Sequence, residues 1–287
     1  MQLPLRPKDS NKFTFGNVLN IAGSLNYRGA AYLSSVSALR VGAGYVTLAA
    51  IPPVVESVAA QLPDAVYLPL PQNGPTLSKE AVDVIASRLS PGTVCSLGCG
   101  ISAIGNGVED LPAFVVSTIE VFLQREIPFV LDADGLNMLA KSGRALDLKT
   151  LAVMTPHPKE LSRLLNTTEE DVQKNRIDAV QEASRKFNTV VLLKGHRSIV
   201  ACGNRFRINE FGNSALAKAG SGDCLTGIIA GLLAQKMDPL DAAILGAKIH
   251  GLAGEIAATE LSEYGVLASD LPRYIPRSIL QIQNQRL

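Results

Sequence analysis

Short apolar runs alternate with segments of helical periodicity along most of the chain. The apolar runs predict strands at Asn17–Gly23, Gly44–Ala50, Thr93–Gly98, Pro128–Asp134, Leu151–Thr155 and Thr189–Gly195. Helical periodicity predicts helices at Gly29–Gly42, Ser78–Leu89, Leu111–Arg125, Pro158–Leu165, Glu169–Phe187, Asp223–Gln235 and Pro239–Leu261. Because the strands are apolar on both faces, we expect a parallel sheet that is covered by helices on each side. The alternation of strand and helix predicts a doubly wound α/β fold.

The pattern changes after Gly195. Short segments flank a turn signal at Gly203–Asn204, which predicts antiparallel hairpin strands. Segment Leu68–Glu80 is predicted to be a loop within the fold. No linker rich in proline, glycine and serine divides the chain, so we predict a single domain over residues 1–287.

Composition narrows the classes of partner. The 287 residues carry a net charge of +1, so no global field favours nucleic acid or an acidic membrane surface. The sequence shows neither a signal-peptide pattern nor an apolar run long enough for a membrane span. We therefore expect a cytoplasmic protein whose partners are small molecules. The four cysteines are too scattered for a disulfide scaffold and are expected to be reduced core residues.

One glycine-rich segment carries most of the chemical information. It reads "KAGSGDCLTG" and runs from Lys218 to Gly227, just before an apolar helical pattern. Glycines at a helix start leave backbone N–H groups open to an anion, and the helix dipole adds positive potential. Two other phosphate-binding patterns, G-x-x-x-x-G-K-[ST] and a well-placed G-x-G-x-x-G, are absent from the sequence. Asp223 in this segment is either a helix cap or a functional carboxylate.

Polar side chains also follow three neighbouring strand patterns. Asp132 and Asp134 end one strand, His157 and Glu160 follow the next, and Lys194 ends the third. The carboxyl ends of parallel strands form the edge where open α/β sheets bind ligands. A solvated turn or a helix cap would explain each residue alone, and a lone histidine is usually structural. His157 is unusual because it stands between two prolines, and the set together indicates one crevice.

Six segments in order resemble one known family. They read "NVLNIAGSLNYRGAAYLSSVSALRVGAGYVTLA", "LGCG", "VLDADGLNML", "MTPHPKELSRLL", "VLLKG" and "GNSALAKAGSGDCLTGIIAGLLAQ". They are similar to the ADP/ATP-dependent NAD(P)H-hydrate dehydratases, a branch of the ribokinase-like superfamily, and the resemblance runs from about Asn11 to the end. It implies a three-layer αβα sandwich with a central, mostly parallel sheet. It also implies repair of nicotinamide cofactors whose ring has been hydrated at the 5,6 double bond.

The resemblance implies a role for each matching residue. Asp223 matches the catalytic base and also contacts substrate, and Gly220, Ser221 and Gly222 match the anion hole around the transferred phosphoryl group. The nucleotide-binding positions are Lys194, Gly195, His196, Arg197 and Ser198. The positions that contact the hydrated cofactor are Ala38, Gly100, Asn137 and His157. Glu160, with Asp132 and Asp134 near it, matches positions that organise Mg²⁺ through water, and the co-substrate is ADP or ATP.

The resemblance further implies a homotetramer, and a separate epimerase as a functional companion. Three segments depart from the usual family pattern. "NKF" stands at Asn11–Phe13 where "HKG" is common, and "GCGIS" replaces "GPGLG" at residues 98–102. "GNSALAKAGSGD" replaces "GNPGMATGGSGD", with Ser214, Ala215 and Lys218 in place of proline, glycine and threonine. A small-molecule kinase of the hydroxyethylthiazole type and a non-catalytic nucleotide-binding protein are the alternative functions.

Overall fold

The computed structural model describes residues 2–102 and 108–285. Eleven strands occur in these residues. They are β1 (Asn17–Ile21), β2 (Tyr45–Ala50), β3 (Val66–Pro69), β4 (Gln72–Asn73), β5 (Thr76–Leu77), β6 (Thr93–Leu97), β7 (Phe129–Leu131), β8 (Ala152–Met154), β9 (Val190–Leu193), β10 (Ile199–Cys202) and β11 (Arg205–Ile208).

Nine of these strands form one central sheet in the order β11-β10-β9-β8-β7-β6-β1-β2-β3. All neighbours are parallel except for β10 and β11, which are antiparallel to their partners and form the predicted hairpin. Strand β9 is apolar at every position because its side chains alternate between two core clusters, one on each face of the sheet. Val191 and Leu193 belong to one core cluster, whereas Val190 and Leu192 belong to the cluster on the opposite face. The expectation of a sheet buried on both sides is confirmed.

Eleven α-helices complete the described fold. They are α1 (Arg28–Arg40), α2 (Pro52–Ala59), α3 (Ala81–Arg88), α4 (Leu111–Gln124), α5 (Ala133–Ser142), α6 (Pro158–Leu165), α7 (Glu169–Lys174), α8 (Arg176–Phe187), α9 (Ser221–Ala234), α10 (Pro239–Gly265) and α11 (Leu271–Asn284). Helices α2 to α8 contribute to one core cluster and α9 to α11 to the other, which gives three layers. None of the helices in this part of the chain combines the length and apolarity needed to cross a bilayer.

Three predicted boundaries differ from the structure. The helix predicted over Glu169–Phe187 is broken at Asn175, whose ψ of 50° lies outside the helical range, so α7 and α8 are separate. The strand predicted to end at Asp134 stops at Leu131, because Asp132 is already the N-cap of α5. The predicted loop Leu68–Glu80 includes the small β4–β5 hairpin.

Small residues let α9 pack closely on α1. A Cβ atom at Gly227 would overlap with the carbonyl oxygen of Ser34, and a Cβ at Gly231 would lie 2.8 Å from the carbonyl oxygen of Ala38. Glycine permits this approach because it has no side chain. The close contact fixes the position of α9 relative to the sheet, and so of the helix start that carries Asp223.

Candidate active site

Helix α9 begins at the glycine-rich segment. Gly220 is its N-cap and has a φ of 93°, a left-handed conformation that favours glycine. Ser221 is therefore the first helical residue, two residues before the predicted start at Asp223, and Asp223 lies within the first turn. No side-chain cap is present at this end. Asp223 is thus not needed as the N-cap. The Ser221 N–H donates to the carbonyl oxygen of Lys218, so the N–H groups of Gly222 and Asp223 are the ones open to an anion.

The environment of Asp223 favours a proton. Burial, together with the charge of Asp132, raises the pKa of Asp223 to about 6, and the Cys99 thiol and the Lys194 ammonium oppose this shift. A carboxylate with a pKa just below neutrality accepts a proton more readily than an ordinary aspartate and is still mostly ionised at pH 7. Asp223 therefore has the properties of a general base.

A buried ion pair lies beside the helix start. The Lys194 Nζ atom is 2.6 Å from Oδ1 of Asp132, and the Thr226 hydroxyl donates to Oδ2 of Asp132 over 2.6 Å. Burial alone would lower the pKa of Lys194, but Asp132 and Glu160 outweigh it and raise that pKa above its usual range. A Cβ at Gly222 would lie 3.4 Å from Nζ of Lys194. The ammonium is therefore a permanent positive charge at the anion-binding turn.

His157 and Glu160 form a capping box at the start of α6. The His157 N–H donates to Oε2 of Glu160 over 2.8 Å, and the Glu160 N–H donates to Nδ1 of His157 over 3.3 Å. Burial and the nearby Lys194 lower the pKa of His157, so its ring is neutral at pH 7. Burial raises the pKa of Glu160 to about 7. The structure thus gives His157 a helix-capping role and also places it on the wall of the cleft described next.

A cleft of about 740 Å³ opens at the α9 start. This volume lies within the range of about 300–1,000 Å³ that is usual for small-molecule sites. The cleft is lined by residues from the ends of β9 and β10, from the loop before α9 and from α10. Its lining residues predicted from the sequence are His157, Lys194, Gly195, His196, Arg197, Ser198, Ser221 and Gly222. Gly220 lies at the adjacent N-cap, and a Cβ there would meet the side chain of Leu33 at 2.6 Å.

Asp223 is not among the residues that line this cleft. Its carboxyl interacts with the thiol of Cys99, a buried residue in the loop after β6. Ser221 and Gly222, in the first turn of α9, thus line the cleft, whereas Asp223 in the same turn interacts with the loop after β6. A base on one side and an anion-binding turn on the other suit transfer of a group from a donor in the cleft to an acceptor opposite it.

A second cleft lies on the β6 side. It has a volume of about 600 Å³, and Asn137, Ser102 and Asp134 are among its lining residues. The Ser102 N–H donates to Oδ2 of Asp134 over 3.0 Å, which ties the loop after β6 to α5. Asn137 accepts a hydrogen bond of 2.5 Å from Arg163. Gly100 belongs to the same loop and has a φ of 62°. The structure therefore brings Gly100 and Asn137, both predicted substrate contacts, to this neighbourhood.

Ala38 is the predicted substrate contact that the structure places elsewhere. It lies on α1, is 1% exposed and packs against Gly231, two turns along α9 from Asp223. Among the described residues it lines neither cleft and belongs to the core cluster that α9 also joins. Its role as a substrate contact stays a prediction.

The described residues include no group of three His, Cys, Asp or Glu side chains that could hold a metal ion alone. Both carboxylate oxygens of Asp132 are engaged by Lys194 and Thr226. Glu160 is 4% exposed and adjoins the cleft through its contacts with His157. Mg²⁺ keeps much of its water and usually binds one or two carboxylates plus phosphates. The residues therefore suit a Mg²⁺ that comes with nucleotide phosphates, with Glu160 as the outer carboxylate.

Two of the departures from the family pattern have a structural explanation. The Ser214 hydroxyl donates to the Glu263 carboxylate, and the Lys218 ammonium donates to the carbonyl oxygen of Tyr264 over 2.8 Å. Both acceptors follow Ser262, where α10 has non-helical backbone angles. These substitutions anchor the loop before Gly220 to the end of α10, so the loop is held by new contacts.

Sequence reasoning missed several residues of the cleft. They include Asn209, Phe211, Asn213, Leu225, Ala247 and His250. His250 is in contact with Ser221, yet it lies in the apolar helix α10, where a single histidine resembles any core residue. Cys99 was expected to be a core thiol, and its contact with Asp223 connects residues that are far apart in sequence. Only the tertiary structure reveals these two contacts.

The chain matches known proteins over nearly its whole length. The profile of the NAD(P)H-hydrate dehydratase family matches residues 18–277. The chain is 38% identical to a bifunctional NAD(P)H-hydrate repair enzyme of Moorella thermoacetica, covering 99% of this chain and 53% of that protein. It is 31% identical to an ADP-dependent (S)-NAD(P)H-hydrate dehydratase of Bacillus subtilis, covering 96% of this chain and 93% of that protein. The chain thus spans about half the length of the bifunctional relatives.

Solved structures agree with this match. The crystal structure of the ADP/ATP-dependent NAD(P)H-hydrate dehydratase from Bacillus subtilis, co-crystallised with ATP/Mg²⁺, has a TM-score of 0.80 and 28% identity, and the match covers 97% of this chain and 94% of that one. A ribokinase-like superfamily protein from Enterococcus faecalis has a TM-score of 0.82 and 25% identity, over 97% and 92% of the two chains. The fold is therefore the predicted ribokinase-like αβα sandwich, and the chain belongs to the NAD(P)H-hydrate dehydratase family.

Proposed function

We propose that this protein is an ADP- or ATP-dependent (S)-NAD(P)H-hydrate dehydratase. The substrate carries a hydroxyl at C6 of the nicotinamide ring. The hydroxyl oxygen attacks the terminal phosphorus of the nucleotide, and the bond from that phosphorus to the bridging oxygen breaks. The ring nitrogen lone pair then expels phosphate from C6, and loss of a proton from C5 regenerates the double bond of NADH or NADPH. The products are AMP or ADP, together with phosphate.

The observation that supports this proposal is the position of Asp223 in the first turn of α9. Ser221 and Gly222 of the same turn line the nucleotide-sized cleft together with Lys194, whereas the Asp223 carboxyl interacts with Cys99 after β6. Asp223 removes the proton of the C6 hydroxyl as the oxygen attacks phosphorus. The N–H groups at the α9 start and the Lys194 ammonium stabilise the charge on the transferred phosphoryl group, which is the main contribution a protein makes to phosphoryl transfer.

We place the nucleotide in the cleft at the start of α9, against Gly195, His196, Arg197 and Ser198. Glu160 would hold a nucleotide-bound Mg²⁺ through water, and that ion would neutralise phosphate charge. ADP is the proposed co-substrate because the Bacillus subtilis relative that matches over nearly its whole length is named as ADP-dependent. The solved relative co-crystallised with ATP/Mg²⁺ makes ATP the alternative. The hydrated cofactor would occupy the β6 side, near Gly100 and Asn137.

Three further features complete the proposal. The bifunctional relatives combine repair activities in one chain, and we propose that an epimerase supplies the correct hydrate epimer to this protein. We place the protein in the cytoplasm as a single-domain homotetramer. Leu261, Tyr264 and Leu267 support self-association, because they are exposed apolar side chains near the end of α10. Light scattering of the purified protein measures the number of subunits.

One assay tests the activity directly. The protein is incubated with chemically hydrated NADH, Mg²⁺ and either ADP or ATP, and recovery of the reduced-nicotinamide absorbance is followed. We expect recovery that depends on the nucleotide and releases one phosphate per NADH formed. Nucleotide consumption without NADH recovery, on a thiazole alcohol for example, would favour the kinase alternative. Binding of nucleotide with no reaction would favour the non-catalytic one.

The variant Asp223→Asn provides the mechanistic control. It keeps the shape of the side chain and removes the base, so kcat should fall by roughly 10²–10⁴-fold, as is usual for loss of general-base catalysis. Nucleotide affinity, measured by calorimetry, should change little because Asp223 does not line the cleft. An unchanged kcat would assign Asp223 a structural role only.

A further inference from the structure

His250 lies under the anion-binding turn and has no role in the mechanism described so far. It is on α10, is 9% exposed and lines the nucleotide cleft. Its Nε2 atom lies 3.0 Å from the hydroxyl oxygen of Ser221 and 3.0 Å from the carbonyl oxygen of the same residue. One ring nitrogen thus faces two oxygen atoms of the first residue of α9.

The two contacts determine where the ring proton lies. Burial lowers the pKa of His250 to about 4, so the ring is neutral near pH 7 and carries one proton. A carbonyl oxygen can only accept, and a bare Nε2 at 3.0 Å from the Ser221 carbonyl would place two lone pairs against each other. The proton therefore resides on Nε2 and is donated to Ser221.

This tautomer has a consequence for the Ser221 hydroxyl. A protonated Nε2 has no lone pair in the ring plane, so the hydroxyl cannot donate to His250. Among residues 2–102 and 108–285, only His250 is in hydrogen-bond contact with the Ser221 Oγ atom. The hydroxyl hydrogen is thus available to an acceptor in the cleft, where Ser221 forms part of the wall.

We infer that His250 is a positioning residue which, by donating from Nε2 to Ser221, leaves the Ser221 hydroxyl free to donate to the transferred phosphoryl group. This inference rests on the proposed function, since it needs a phosphoryl group at the start of α9. The Ser221 hydroxyl joins the backbone N–H groups and Lys194 as a donor in the anion hole. His250 itself contacts neither substrate nor nucleotide phosphate in this role.

The kinetic test is a double-mutant cycle between His250 and Ser221. His250→Leu removes the Nε2–H donor, and Ser221→Ala removes the hydroxyl. Each should lower kcat by roughly a hundredfold, since loss of one oxyanion-hole donor typically costs about 10²–10³-fold. The kcat of the double variant should be within about threefold of the kcat of the slower single variant. KM for the nucleotide should change by less than about threefold, because the donor acts mainly on the transferred phosphoryl group.

Two further variants separate positioning from structural damage. His250→Gln places an amide N–H where Nε2–H lies and should recover most of the rate lost in His250→Leu. Leu252→Ala on the same helix removes a buried side chain that is 2% exposed and belongs to the core cluster. It measures how far kcat falls through destabilisation of α10 alone. The inference would be overturned if the kcat losses of the two single variants multiplied in the double variant, or if kcat were unchanged in His250→Leu.

A spectroscopic measurement decides the point independently of activity. The chain has only three histidines, so long-range ¹H–¹⁵N NMR can resolve each ring, and His250→Gln identifies the signal of His250. The inference requires the shift of a protonated Nε2, and a bare Nε2 would overturn it. Failure of the proposed function would instead show as no turnover in the unmodified protein, and the tautomer would still be measurable there.

Discussion

The Lys194 ammonium lies 2.6 Å from the Asp132 carboxylate, although the two residues are 62 positions apart in sequence. Asp132 follows β7 and Lys194 follows β9, so the pair bridges the carboxyl edge of the sheet. Asp132 is 1% exposed and its second oxygen accepts from Thr226 in α9. The pair thus connects the sheet to the helix that carries Asp223, and it places a fixed cation at the anion-binding turn.

We predict that Lys194→Met destabilises the fold as well as abolishing efficient turnover. It leaves the buried Asp132 carboxylate without its cation, so the free energy of unfolding should fall by roughly 3 kcal/mol in urea titrations. Asp132→Asn combined with Lys194→Met should restore part of this loss, because neither charge is then left unpaired. Arg144→Met is the matched control. It breaks an exposed ion pair of 2.8 Å with Glu120 and should cost at most about 1 kcal/mol.

The pH profile should report Asp223. Its pKa is raised to about 6, and the base acts only when it is ionised. We therefore predict that kcat/KM rises with pH through a limb near pH 6, since this parameter reports groups of the free enzyme. A limb near pH 4, where an ordinary aspartate titrates, would contradict the burial argument.

The raised pKa of Asp223 also predicts that Asp223→Asn stabilises the fold, although it lowers activity. A raised pKa means that the folded state binds the proton more tightly, so this contribution is present below the unfolded pKa and is lost as pH rises through about 6. Asp223→Asn has no buried charge at any pH. It should be more stable than the unmodified protein at pH 8, by on the order of 2 kcal/mol, and the gap should close towards pH 4. Urea unfolding at both pH values measures it.

Local patterns were sufficient for the sheet and for part of the site. The apolar runs predicted the parallel strands because each is buried on both faces, and the GSGD segment predicted an open helix start because glycine and the first helical turn are neighbours in sequence. His157 and Lys194 were predicted from their positions after strands. The sequence could not predict the pairing of Asp132 with Lys194, since that contact depends on strand order. It also could not reveal that the backbone of Ala38 packs closely against Gly231 of α9.

Cys99 offers a test of how Asp223 is tuned. Its thiol contacts Asp223 and opposes the rise in the pKa of that carboxyl. Cys99→Ala should therefore move the acid limb of kcat/KM to higher pH, whereas Cys99→Ser, which keeps a donor, should move it less. Cys95→Ala is the matched control, because Cys95 is equally buried on the same segment and its pKa is raised by burial alone. Equal shifts in the two alanine variants would assign the effect to general loosening of β6.

The α1–α9 contact gives the last prediction. A Cβ at Gly227 would overlap with the backbone of Ser34, and backbone cannot rotate away as a flexible side chain can. Gly227→Ala should therefore push α9 from α1 and lower the free energy of unfolding by roughly 1–3 kcal/mol, the usual cost of overpacking. It should also lower kcat, because Asp223 lies one turn earlier on the same helix. Gly29→Ala is the control, since α1 leaves open space around that position and alanine is the better helix former by about 1 kcal/mol. If Gly227→Ala were as stable and active as Gly29→Ala, close packing of α9 on α1 would not be what positions the base.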